Sequence, residues 1–326
     1  MSTMKDVAKL AKVSLGTVSR VINHIDGVKA ASVDKVQAAV AKLGYVRNDY
    51  ARGLKINSSQ TIALILPTIW NPFFAEFAYC VERELYHLHY KLLLCNSEAD
   101  ASKEYEYIKM VTQNKVDGII GITYSEIDQY VSSKLPFVSV DRYFTEQVSY
   151  VSSENFKGGQ IAAAELIKAG AKHLAYFGSY AAYKNETTKR HDGFLEYAKN
   201  HCQDVNDIFV PGPIDHSIDS LVNQLFDKDP RVDGIFCVND TTLIEVEQAL
   251  NKRGLSVPRD VQLIGYDGIM LTEDVSLSVS TIAQPITKMA KATVEILLRK
   301  IKDPLHKQEI QILPVSFRTG LTTRHS

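Results

Sequence analysis

Residues 3–24 decide the fold of the amino-terminal segment, and they read Thr-Met-Lys-Asp-Val-Ala-Lys-Leu-Ala-Lys-Val-Ser-Leu-Gly-Thr-Val-Ser-Arg-Val-Ile-Asn-His. Apolar residues recur at helical spacing on either side of a short break at residues 12–14, which predicts two short helices joined by a tight turn. Ser14 occupies an N-cap position, from which its hydroxyl can accept a backbone amide near Thr17. The second helix is therefore predicted to begin at about Leu15.

The outward face of this second helix is polar and lacks acidic residues; it carries Gly16, Thr17, Ser19, Arg20 and Asn23. In a helix-turn-helix, the amino-terminal part of the second helix reaches base edges in the major groove of DNA, where short polar side chains and an arginine find hydrogen-bond partners. The pattern favours such a motif. The alternative is a small helical hairpin whose polar face is merely solvated.

The following residues complete a small bundle. Ser32 is predicted to cap a third helix, and Gly44 is predicted to end it. A bundle of about 45 residues is only marginally stable alone, so attachment to a larger unit is expected. Residues 45–60 are polar, with a helix-capable centre at residues 48–55, and are typical of a hinge.

From Thr61 onward, short β-branched runs alternate with amphipathic segments of helical length. Strands are predicted at residues 62–66, 91–95, 118–122, 137–140, 174–177, 207–210, 234–238, 262–264 and 280–282, and helices at 72–88, 102–114, 155–169, 187–201, 217–226, 241–253 and 286–302. This alternation predicts an α/β fold of parallel sheets with helices on both faces. About 265 residues is large for one such sheet, so two lobes are expected.

Charge is distributed unevenly along the chain. The protein of 326 residues has a formal net charge of −1 at pH 7, whereas residues 1–60 contain ten Lys and Arg residues against four Asp and no Glu. A basic segment of this kind suits a phosphate backbone, and the acidic remainder discourages nonspecific attachment to nucleic acid. The sequence therefore predicts nucleic-acid contact through the amino-terminal segment alone.

The sequence argues against several other functional classes. The four cysteines form no C-x-x-C pair and have no nearby His at metal-ligand spacing, so no metal is expected. They are expected to be reduced thiols in a cytoplasmic protein. There is no signal-peptide pattern and no apolar run of about eighteen residues, so no membrane association is expected. No phosphate-binding loop, dinucleotide-binding motif or nucleophile elbow is present, so neither a cofactor nor an enzymatic activity is predicted.

The amino-terminal pattern closely resembles the DNA-binding signature of the lactose-repressor/galactose-repressor (LacI/GalR) family of transcriptional regulators. The resemblance rests on Lys5-Asp6-Val7-Ala8, Ala11, Val13-Ser14 and Thr17-Val18-Ser19-Arg20-Val21-Ile22-Asn23. A match over about twenty positions is far more specific than a single glycine motif. It implies DNA contacts at Gly16, Thr17, Ser19, Arg20 and Asn23, and also at Ser14, Leu15 and His24. Direct base readout at Leu15 and Gly16 is expected to be weak, because that pair is small and apolar.

The resemblance also implies the organisation of the chain. Residues 1–46 are expected to form a three-helix helix-turn-helix domain, residues 47–60 a hinge, and residues 61–326 a two-lobed effector-binding and dimerisation domain similar to periplasmic binding proteins. The amino-terminal lobe is expected at about residues 61–154 and 286–313, and the carboxyl-terminal lobe at about residues 155–285 and 314–326.

In this family the hinge forms a helix on operator DNA, pairs with its counterpart in the dimer, and inserts a leucine between base pairs in the minor groove. Carried over to this sequence, the resemblance makes Leu54 the wedge, places Ala51 close to the groove, and places Arg52 and Lys55 near phosphates. A linker helix with one exposed leucine is the alternative. Gly53 is a poor helix former, which fits a helix that forms only on DNA.

Polar residues follow several of the predicted strands, where ligands bind in open α/β sheets. Carboxylates, an arginine, an asparagine and an aromatic ring are the groups that a sugar requires. The resemblance implies effector contacts at Asn71, Phe73, Asp141, Arg190, Asn239, Asp267 and Gln284, with Trp70 as a stacking platform. As alternatives, Asn239-Asp240 can cap the following helix and Asp267 can form an Asx-turn; Asn155 is predicted to cap a helix.

Together these patterns predict a homodimeric repressor of a carbohydrate-utilisation operon that binds a pseudo-palindromic operator and a small sugar or sugar phosphate. No leucine-heptad tail follows Arg318, so a tetramer is not expected. Residues 151–159, and residues 266–268 followed by Gln284-Pro285, resemble sucrose- or ribose-type repressors, whereas residues 51–54 resemble the catabolite-control branch. A regulator that uses a corepressor or a phosphocarrier protein is therefore an alternative, as are an enzyme and a free sugar-binding or transport protein.

Overall fold

The computed structural model describes residues 2–23, 25–45, 58–113, 115–180, 185–201, 205–211 and 218–324. The chain divides into two compact units, Met1–Ser59 and Gln60–Ser326. Among the described residues, no helix combines the length and the apolar character that a membrane span requires.

Among its described residues, the amino-terminal unit contains the helices α1 (Met4–Ala11), α2 (Leu15–Ile22) and α3 (Ala30–Leu43), which pack as a bundle. Their apolar faces share a small core that consists of Val7, Ala8, Ala11, Val18, Val36 and Ala39. The start of α2 at Leu15 and the end of α3 at Gly44, which has a φ of 55°, are as predicted. The predicted cap at Ser32 is wrong, because the helix-favouring Ala30 and Ala31 extend α3 backward, and Lys29 takes the N-cap position without a side-chain hydrogen bond.

The carboxyl-terminal unit alternates strands and helices, as predicted. Its strands are β1 (Thr61–Leu66), β2 (Lys91–Asn96), β3 (Gly118–Gly121), β4 (Phe137–Val140), β5 (Ser149–Ser153), β6 (Leu174–Tyr180), β7 (Val205–Pro211), β8 (Gly234–Cys237), β9 (Gln262–Asp267), β10 (Thr281–Ala283), β11 (Ile310–Leu313) and β12 (Ser316–Arg318). Its helices are α4 (Pro72–His87), α5 (Ala101–Thr112), α6 (Asn155–Lys168), α7 (Thr188–His201), α8 (Ile218–Lys228), α9 (Asp240–Lys252) and α10 (Ile286–Lys302). A 3₁₀ turn spans Asp128–Tyr130.

These strands form two six-stranded sheets. The first sheet has the order β11-β5-β4-β3-β1-β2 and the second has the order β12-β10-β9-β8-β6-β7. Neighbouring strands in the described part of both sheets are parallel, except that β10 and β12 are antiparallel. The chain passes from one sheet to the other three times, between β5 and β6, between β10 and β11, and between β11 and β12.

Each sheet is covered by helices on both faces, so each lobe has a double core. In the first sheet, α4 and α10 pack on one face and α5 on the other. In the second sheet, α8 and α9 pack on one face and α6 and α7 on the other. This arrangement explains why the central strands are apolar along almost their whole length. The predicted α/β class with an amino-terminal helix-turn-helix unit is confirmed.

Three strands, β5, β11 and β12, escaped prediction. Strand β5 reads Ser-Tyr-Val-Ser-Ser, and its serines are buried although their type favours loops. Its burial comes from its position between β4 and β11, which is a tertiary feature. Strands β11 and β12 lie at sheet edges and are only partly buried, so their sequences lack a strong apolar run.

Candidate functional site

A continuous polar network joins the carboxyl ends of strands from both sheets. It consists of Asp141, Ser152, Asn155, Arg190, Asp267 and Gln284, all of which are buried. Asp141 follows β4 and Ser152 lies in β5 of the first sheet, whereas Asp267 ends β9 and Gln284 follows β10 of the second. We call these six residues the polar network.

The first half of the polar network holds Asp141 in place. The hydroxyl of Ser152 donates to Oδ1 of Asp141 at 2.6 Å, and Nδ2 of Asn155 donates to the hydroxyl of Ser152 at 2.9 Å. Asp141 has a φ of 57°, which places it in the left-handed region. The next residue, Arg142, is buried and donates to the carbonyl of Ser125 at 2.7 Å, so the chain beyond Asp141 is anchored within the first lobe.

Arg190 lies at the centre of the polar network and is held on three sides. Its Nε donates to Oδ1 of Asn155 at 2.7 Å, and its Nη1 donates to the carbonyl of Val238 at 2.9 Å. Its guanidinium carbon lies 3.6 Å from the centroid of the Tyr266 ring, a cation–π contact. The planar guanidinium is therefore oriented before any ligand arrives.

The second half of the polar network centres on Asp267. Its Oδ1 lies 3.6 Å from Nη1 of Arg190 and accepts a hydrogen bond from Nε2 of Gln284 at 2.9 Å. Asp267 has a φ of 113°, and the backbone amide of Gln284 donates to its carbonyl at 3.0 Å. Oε1 of Gln284 is buried and has no hydrogen-bond partner among the described residues. An unpaired buried acceptor of this kind marks a place where a further donor fits.

Burial dominates the electrostatics of both carboxylates. It raises the pKa of Asp267 to about 8, against the opposing influence of Arg190. It likewise raises the pKa of Asp141, again against Arg190. Tyr124, which follows β3, has a pKa raised first by burial and then by the charge of Asp141. The polar network thus combines two carboxyl groups that resist ionisation with one guanidinium shared between them.

Glycines let the helices that carry Asn155 and Arg190 approach closely. A Cβ on Gly159 of α6 would lie 2.0 Å from the carbonyl oxygen of Arg190, and one on Gly193 of α7 would lie 2.0 Å from the carbonyl oxygen of Phe156. The contact of α6 with α7 therefore requires glycine at both positions. This contact brings Asn155, at the start of α6, within hydrogen-bonding distance of Arg190 in α7.

The structure brings four of the predicted effector residues together, namely Asp141, Arg190, Asp267 and Gln284. The remaining four are engaged differently. Asn71 and Asn239 cap α4 and α9, with their Oδ1 atoms accepting the amides of Phe73 at 2.9 Å and Thr242 at 2.8 Å. Phe73 is buried in the core beside Phe77. Trp70 is 91% exposed and does not pack against the polar network.

Sequence reasoning missed three members of this site, Ser152, Asn155 and Tyr266. The predicted helix-capping role of Asn155 is wrong, because Glu154 takes the N-cap position and the Asn155 side chain turns toward Arg190. Tyr266 precedes Asp267, and its hydroxyl lies 3.0 Å from that of Ser153 in the first sheet. The sequence feature connected with Tyr266 is Gly158, because a Cβ at that position would lie 2.6 Å from the Tyr266 ring.

The second set of candidate residues lies on α2. Ser14 caps this helix as predicted, since its Oγ accepts the amide of Thr17 at 3.1 Å and lies 2.9 Å from the Thr17 hydroxyl. Leu15, Gly16 and Arg20 are exposed, whereas Thr17, Ser19 and Asn23 are partly buried. Nδ2 of Asn23 donates back to the carbonyl of Ser19 at 2.6 Å. The other predicted DNA contacts lie outside the described residues; they are His24, Ala51, Arg52, Leu54 and Lys55.

The chemistry of the polar network suits recognition of hydroxyl groups. A carboxylate accepts hydrogen bonds from two hydroxyl groups, and a guanidinium and an amide NH₂ donate hydrogen bonds to hydroxyl oxygens. Among the described residues, no group of three or more His, Cys, Asp or Glu side chains is arranged to hold a metal ion.

Comparison with protein families assigns both parts of the chain. Residues 3–48 match the lacI family of bacterial regulatory proteins, and residues 163–326 match a periplasmic binding protein-like domain. The chain is 34% identical over 323 residues to the sucrose operon repressor of Pediococcus pentosaceus, covering 98% of both chains. It is 36% identical over 326 residues to the ribose operon repressor of Bacillus subtilis (strain 168), covering 99% of both chains.

A solved structure is similar to the carboxyl-terminal part. It is that of a periplasmic binding protein/LacI transcriptional regulator from Alkaliphilus metalliredigens QYMF complexed with D-xylulofuranose, with a TM-score of 0.69 and 30% identity, covering 82% of this chain and 100% of that chain. Since the similarity to the operon repressors extends over almost the whole chain, the protein belongs to the lacI family of bacterial regulatory proteins.

Proposed function

We propose that the protein is a sequence-specific repressor of a carbohydrate-utilisation operon, and that a small neutral sugar bound at the polar network changes its affinity for operator DNA. The observation that carries this proposal is the buried arrangement of Asp141, Asp267 and Gln284, at strand ends from both sheets, around Arg190 of α7. A ligand that contacts both lobes binds their closed arrangement best, and such differential affinity is what a regulatory switch requires.

The charge of the polar network favours a neutral sugar over a sugar phosphate. Within it, Arg190 faces two carboxyl groups and already donates to Asn155 and Val238. A phosphate would have to be buried beside two carboxyl groups that burial keeps from ionising, with one guanidinium that Asn155 and Val238 already engage, and an incompletely paired buried charge is costly. Sugar hydroxyl groups are uncharged, so burying them carries no such electrostatic cost. They can accept hydrogen bonds from Arg190 and donate hydrogen bonds to acceptors such as Oε1 of Gln284.

The amino-termini of α4 and α9 also favour an uncharged ligand. Helix amino-termini bind phosphate through free backbone amides. In α4 the side chain of Asn71 already accepts an amide of the first turn and Pro72 has no amide to donate, and in α9 Asn239 occupies a first-turn amide while Asp240 adds negative charge. These two termini are therefore poor phosphate sites. Relatives named for sucrose and ribose repression and the structure with D-xylulofuranose agree with an uncharged sugar.

The amino-terminal unit would supply the DNA contacts. We assign α2 to the major groove, with Thr17, Ser19 and Arg20 facing the bases and Ser14, Leu15, Gly16 and Asn23 beside them; this assignment, like that of His24, follows the family signature. The family resemblance also assigns the minor-groove wedge to Leu54, flanked by Ala51, Arg52 and Lys55. Operator DNA lies in the cytoplasm, so we expect the protein to act there, as a regulator and not as an enzyme.

Two such units are needed for a pseudo-palindromic site, so we expect a homodimer. Exposed apolar side chains on the first sheet support this expectation. Leu93 and Leu94 lie on the edge strand β2 and are 40% and 43% exposed, and Tyr86 on α4 is 70% exposed. An edge strand with apolar side chains is a surface that a second copy can cover.

The test begins with operator DNA selected by the full-length protein from a random duplex library. Ribose, sucrose and ribose 5-phosphate are then titrated while the fluorescence anisotropy of the labelled duplex is followed. We expect a neutral sugar to change operator affinity by about fivefold or more and ribose 5-phosphate to have no effect. Calorimetric titration of the same sugars into the protein without DNA reports sugar binding directly.

Two results would contradict the proposal. If no sugar binds the protein or changes its operator affinity, the polar network is not an effector site. If ribose 5-phosphate acts and the neutral sugars do not, the electrostatic argument for an uncharged ligand is wrong. A response that appears only when a phosphocarrier protein is added would favour the catabolite-control alternative.

A further inference from the structure

Asp240 is a completely buried carboxylate directly behind the polar network, and sequence reasoning gave it no role beyond helix capping. It is the first residue of α9 and follows Asn239, which caps that helix. Its Oδ2 accepts hydrogen bonds from the backbone amides of Gly268 and Ile269, each at 2.9 Å. A single carboxylate oxygen thus holds two consecutive amides of the turn that follows Asp267.

This turn has an unusual backbone conformation. Asp267 has a φ of 113° and Gly268 a φ of 77°. A positive φ is easy for glycine and unfavourable for aspartate, so surrounding contacts must hold Asp267 in place. The hydroxyl of Thr281 also lies 3.2 Å from the Gly268 amide. The contacts of Asp240 are charge-assisted and buried, so they are the strongest that the turn receives.

The neighbouring strand is shaped to admit Asp240. A Cβ on Gly265 of β9 would lie 2.2 Å from Oδ1 of Asp240, so only glycine fits at that position. The carboxylate therefore lies flat against β9, with one oxygen over Gly265 and the other on the turn. Asp240 therefore contacts β9 at Gly265, two residues before the strand ends at Asp267.

Asp240 also acts on Asp267 through its charge. Five charged and titratable groups among the described residues interact with Asp267: Arg190 on α7, Asp240 on α9, Tyr266 of β9, Asp141 after β4 and Tyr124 after β3. Burial raises the pKa of Asp267 most, Arg190 opposes it, and the negative charge of Asp240 raises it further. Asp240 itself has a pKa raised to about 6, chiefly by burial, and Arg318 of β12 opposes that shift.

We propose that Asp240 is a positioning residue for effector binding: by holding the amides of Gly268 and Ile269, it keeps Asp267 in the conformation that presents its carboxylate beside Arg190. The inference rests on the proposed function, because it assumes that Asp267 contacts the effector. Asp240 would act on effector binding through Asp267, without contacting the effector itself.

The chain offers a matched control. Asp233 precedes β8 and accepts the amides of Lys172 and His173 at 2.9 Å and 2.8 Å, at the opposite end of the same strand. Asp233→Ala therefore removes two amide contacts from the same lobe without touching the turn at Asp267. Asp240→Asn keeps an oxygen that can accept both amides and removes only the charge.

The experiment measures sugar affinity by calorimetry and backbone hydrogen exchange by mass spectrometry in the full-length wild type, Asp240→Ala, Asp240→Asn and Asp233→Ala. We expect Asp240→Ala to weaken sugar binding about tenfold or more and to speed exchange in the peptide around residues 265–271. Asp233→Ala should speed exchange around residues 171–175 and leave sugar affinity unchanged. Asp240→Asn should retain affinity near neutral pH.

The pH profile separates positioning from general stability. Affinity should rise with pH as Asp267 ionises, because its carboxylate accepts the sugar hydroxyls, and the midpoint should lie lower in Asp240→Asn since one negative charge is gone. Equal affinity losses in Asp240→Ala and Asp233→Ala would overturn the inference, and so would a loss of affinity at every pH in Asp240→Asn, which keeps the oxygen that accepts the two amides. If Asp240→Ala does not fold, this second comparison still decides the matter.

Hydrogen exchange needs no ligand, so the two proposals fail separately. If the wild type binds no sugar, the proposed function fails, and the inference about Asp240 fails with it as a statement about effector binding. If the wild type binds sugar but Asp240→Ala leaves exchange around residues 265–271 unchanged, only the inference about Asp240 fails.

Discussion

Nη1 of Arg190 lies 3.6 Å from Oδ1 of Asp267, with both side chains buried. This distance is too long for a hydrogen bond, although the two groups attract each other electrostatically. The guanidinium is held instead by Asn155, Val238 and the ring of Tyr266. Arginine and aspartate thus face each other without a direct hydrogen bond, and both can turn to a ligand hydroxyl.

Replacing Arg190 by lysine should abolish this arrangement although the charge remains. A lysine ammonium has no planar fork, so it cannot donate to Asn155 and Val238 while lying over Tyr266. We expect Arg190→Lys to weaken sugar binding about tenfold or more, as measured by calorimetry. Arg231→Lys is the matched control, because Arg231 pairs with Asp229 elsewhere in the lobe. Sugar affinity within about twofold of wild type in Arg190→Lys would show that charge alone suffices.

Ionisation of Asp267 should make the stability of the unliganded protein depend on pH. Its pKa is raised to about 8 by burial, well above the ordinary value of 3.8, so the folded state binds this proton more tightly than the unfolded state. The resulting stabilisation is complete below about pH 4 and is lost as the pH rises through about 8. We expect Asp267→Asn, which does not titrate, to melt at a higher temperature than wild type at about pH 8.5, with a smaller difference at about pH 5.

Asp229 provides the contrast for that measurement. The hydrogen bond from Arg231 holds the pKa of Asp229 below its usual range, so its stabilisation is present above about pH 4 and is lost only as the pH falls further. Asp229→Asn should therefore lower the melting temperature by the same amount at about pH 5 and about pH 8.5. A pH-independent difference for Asp267→Asn would show that its carboxyl group does not titrate in this range.

Local signals in the sequence predicted the parts of the site that depend on neighbours along the chain. Ser14 caps α2, and the structure brings Arg190 and Asp267, which the family resemblance named as effector contacts, to within 3.6 Å of each other. Asn155 was misassigned because its role arises where α6 crosses α7, a contact set by Gly159 and Gly193 that no local pattern encodes.

The same distinction separates the strands that were predicted from those that were not. Strands β1 and β9 are rich in apolar residues and were recognised from that run. Strand β5 is buried through its neighbours and carries three serines, one of which, Ser152, binds Asp141. A strand that serves the site with polar side chains loses the apolar signal by which strands are recognised.

Dimer formation should depend on the exposed leucines of β2. Leu93→Asp places a charge on an apolar edge that we expect a second copy to cover, so the variant should be monomeric by sedimentation velocity and should bind the selected operator about tenfold or more weakly. Leu305→Asp is the control, since Leu305 is 83% exposed in the loop after α10. A dimeric Leu93→Asp variant would move the expected interface to another surface.

The two capped helices of the amino-terminal unit allow operator recognition to be separated from stability. Ser14 caps α2, whereas Thr3 caps α1 and forms a capping box with Asp6. Loss of either cap costs about 1 kcal/mol. Ser14→Ala also frees the hydroxyl of Thr17, which lies 2.9 Å from Ser14 Oγ. We therefore expect Ser14→Ala to weaken operator binding more than Thr3→Ala, as measured by fluorescence anisotropy.

Ser14→Asp sharpens this comparison because it keeps the cap but adds negative charge at the end of α2. A carboxylate stabilises a helix amino-terminus and repels phosphates, so this variant should melt no lower than wild type while binding DNA more weakly than Ser14→Ala. The deficit should grow as salt is lowered, because screening then weakens. If instead Ser14→Asp binds the operator as wild type does, the amino end of α2 does not approach the DNA backbone, and the assignment of α2 to the major groove fails.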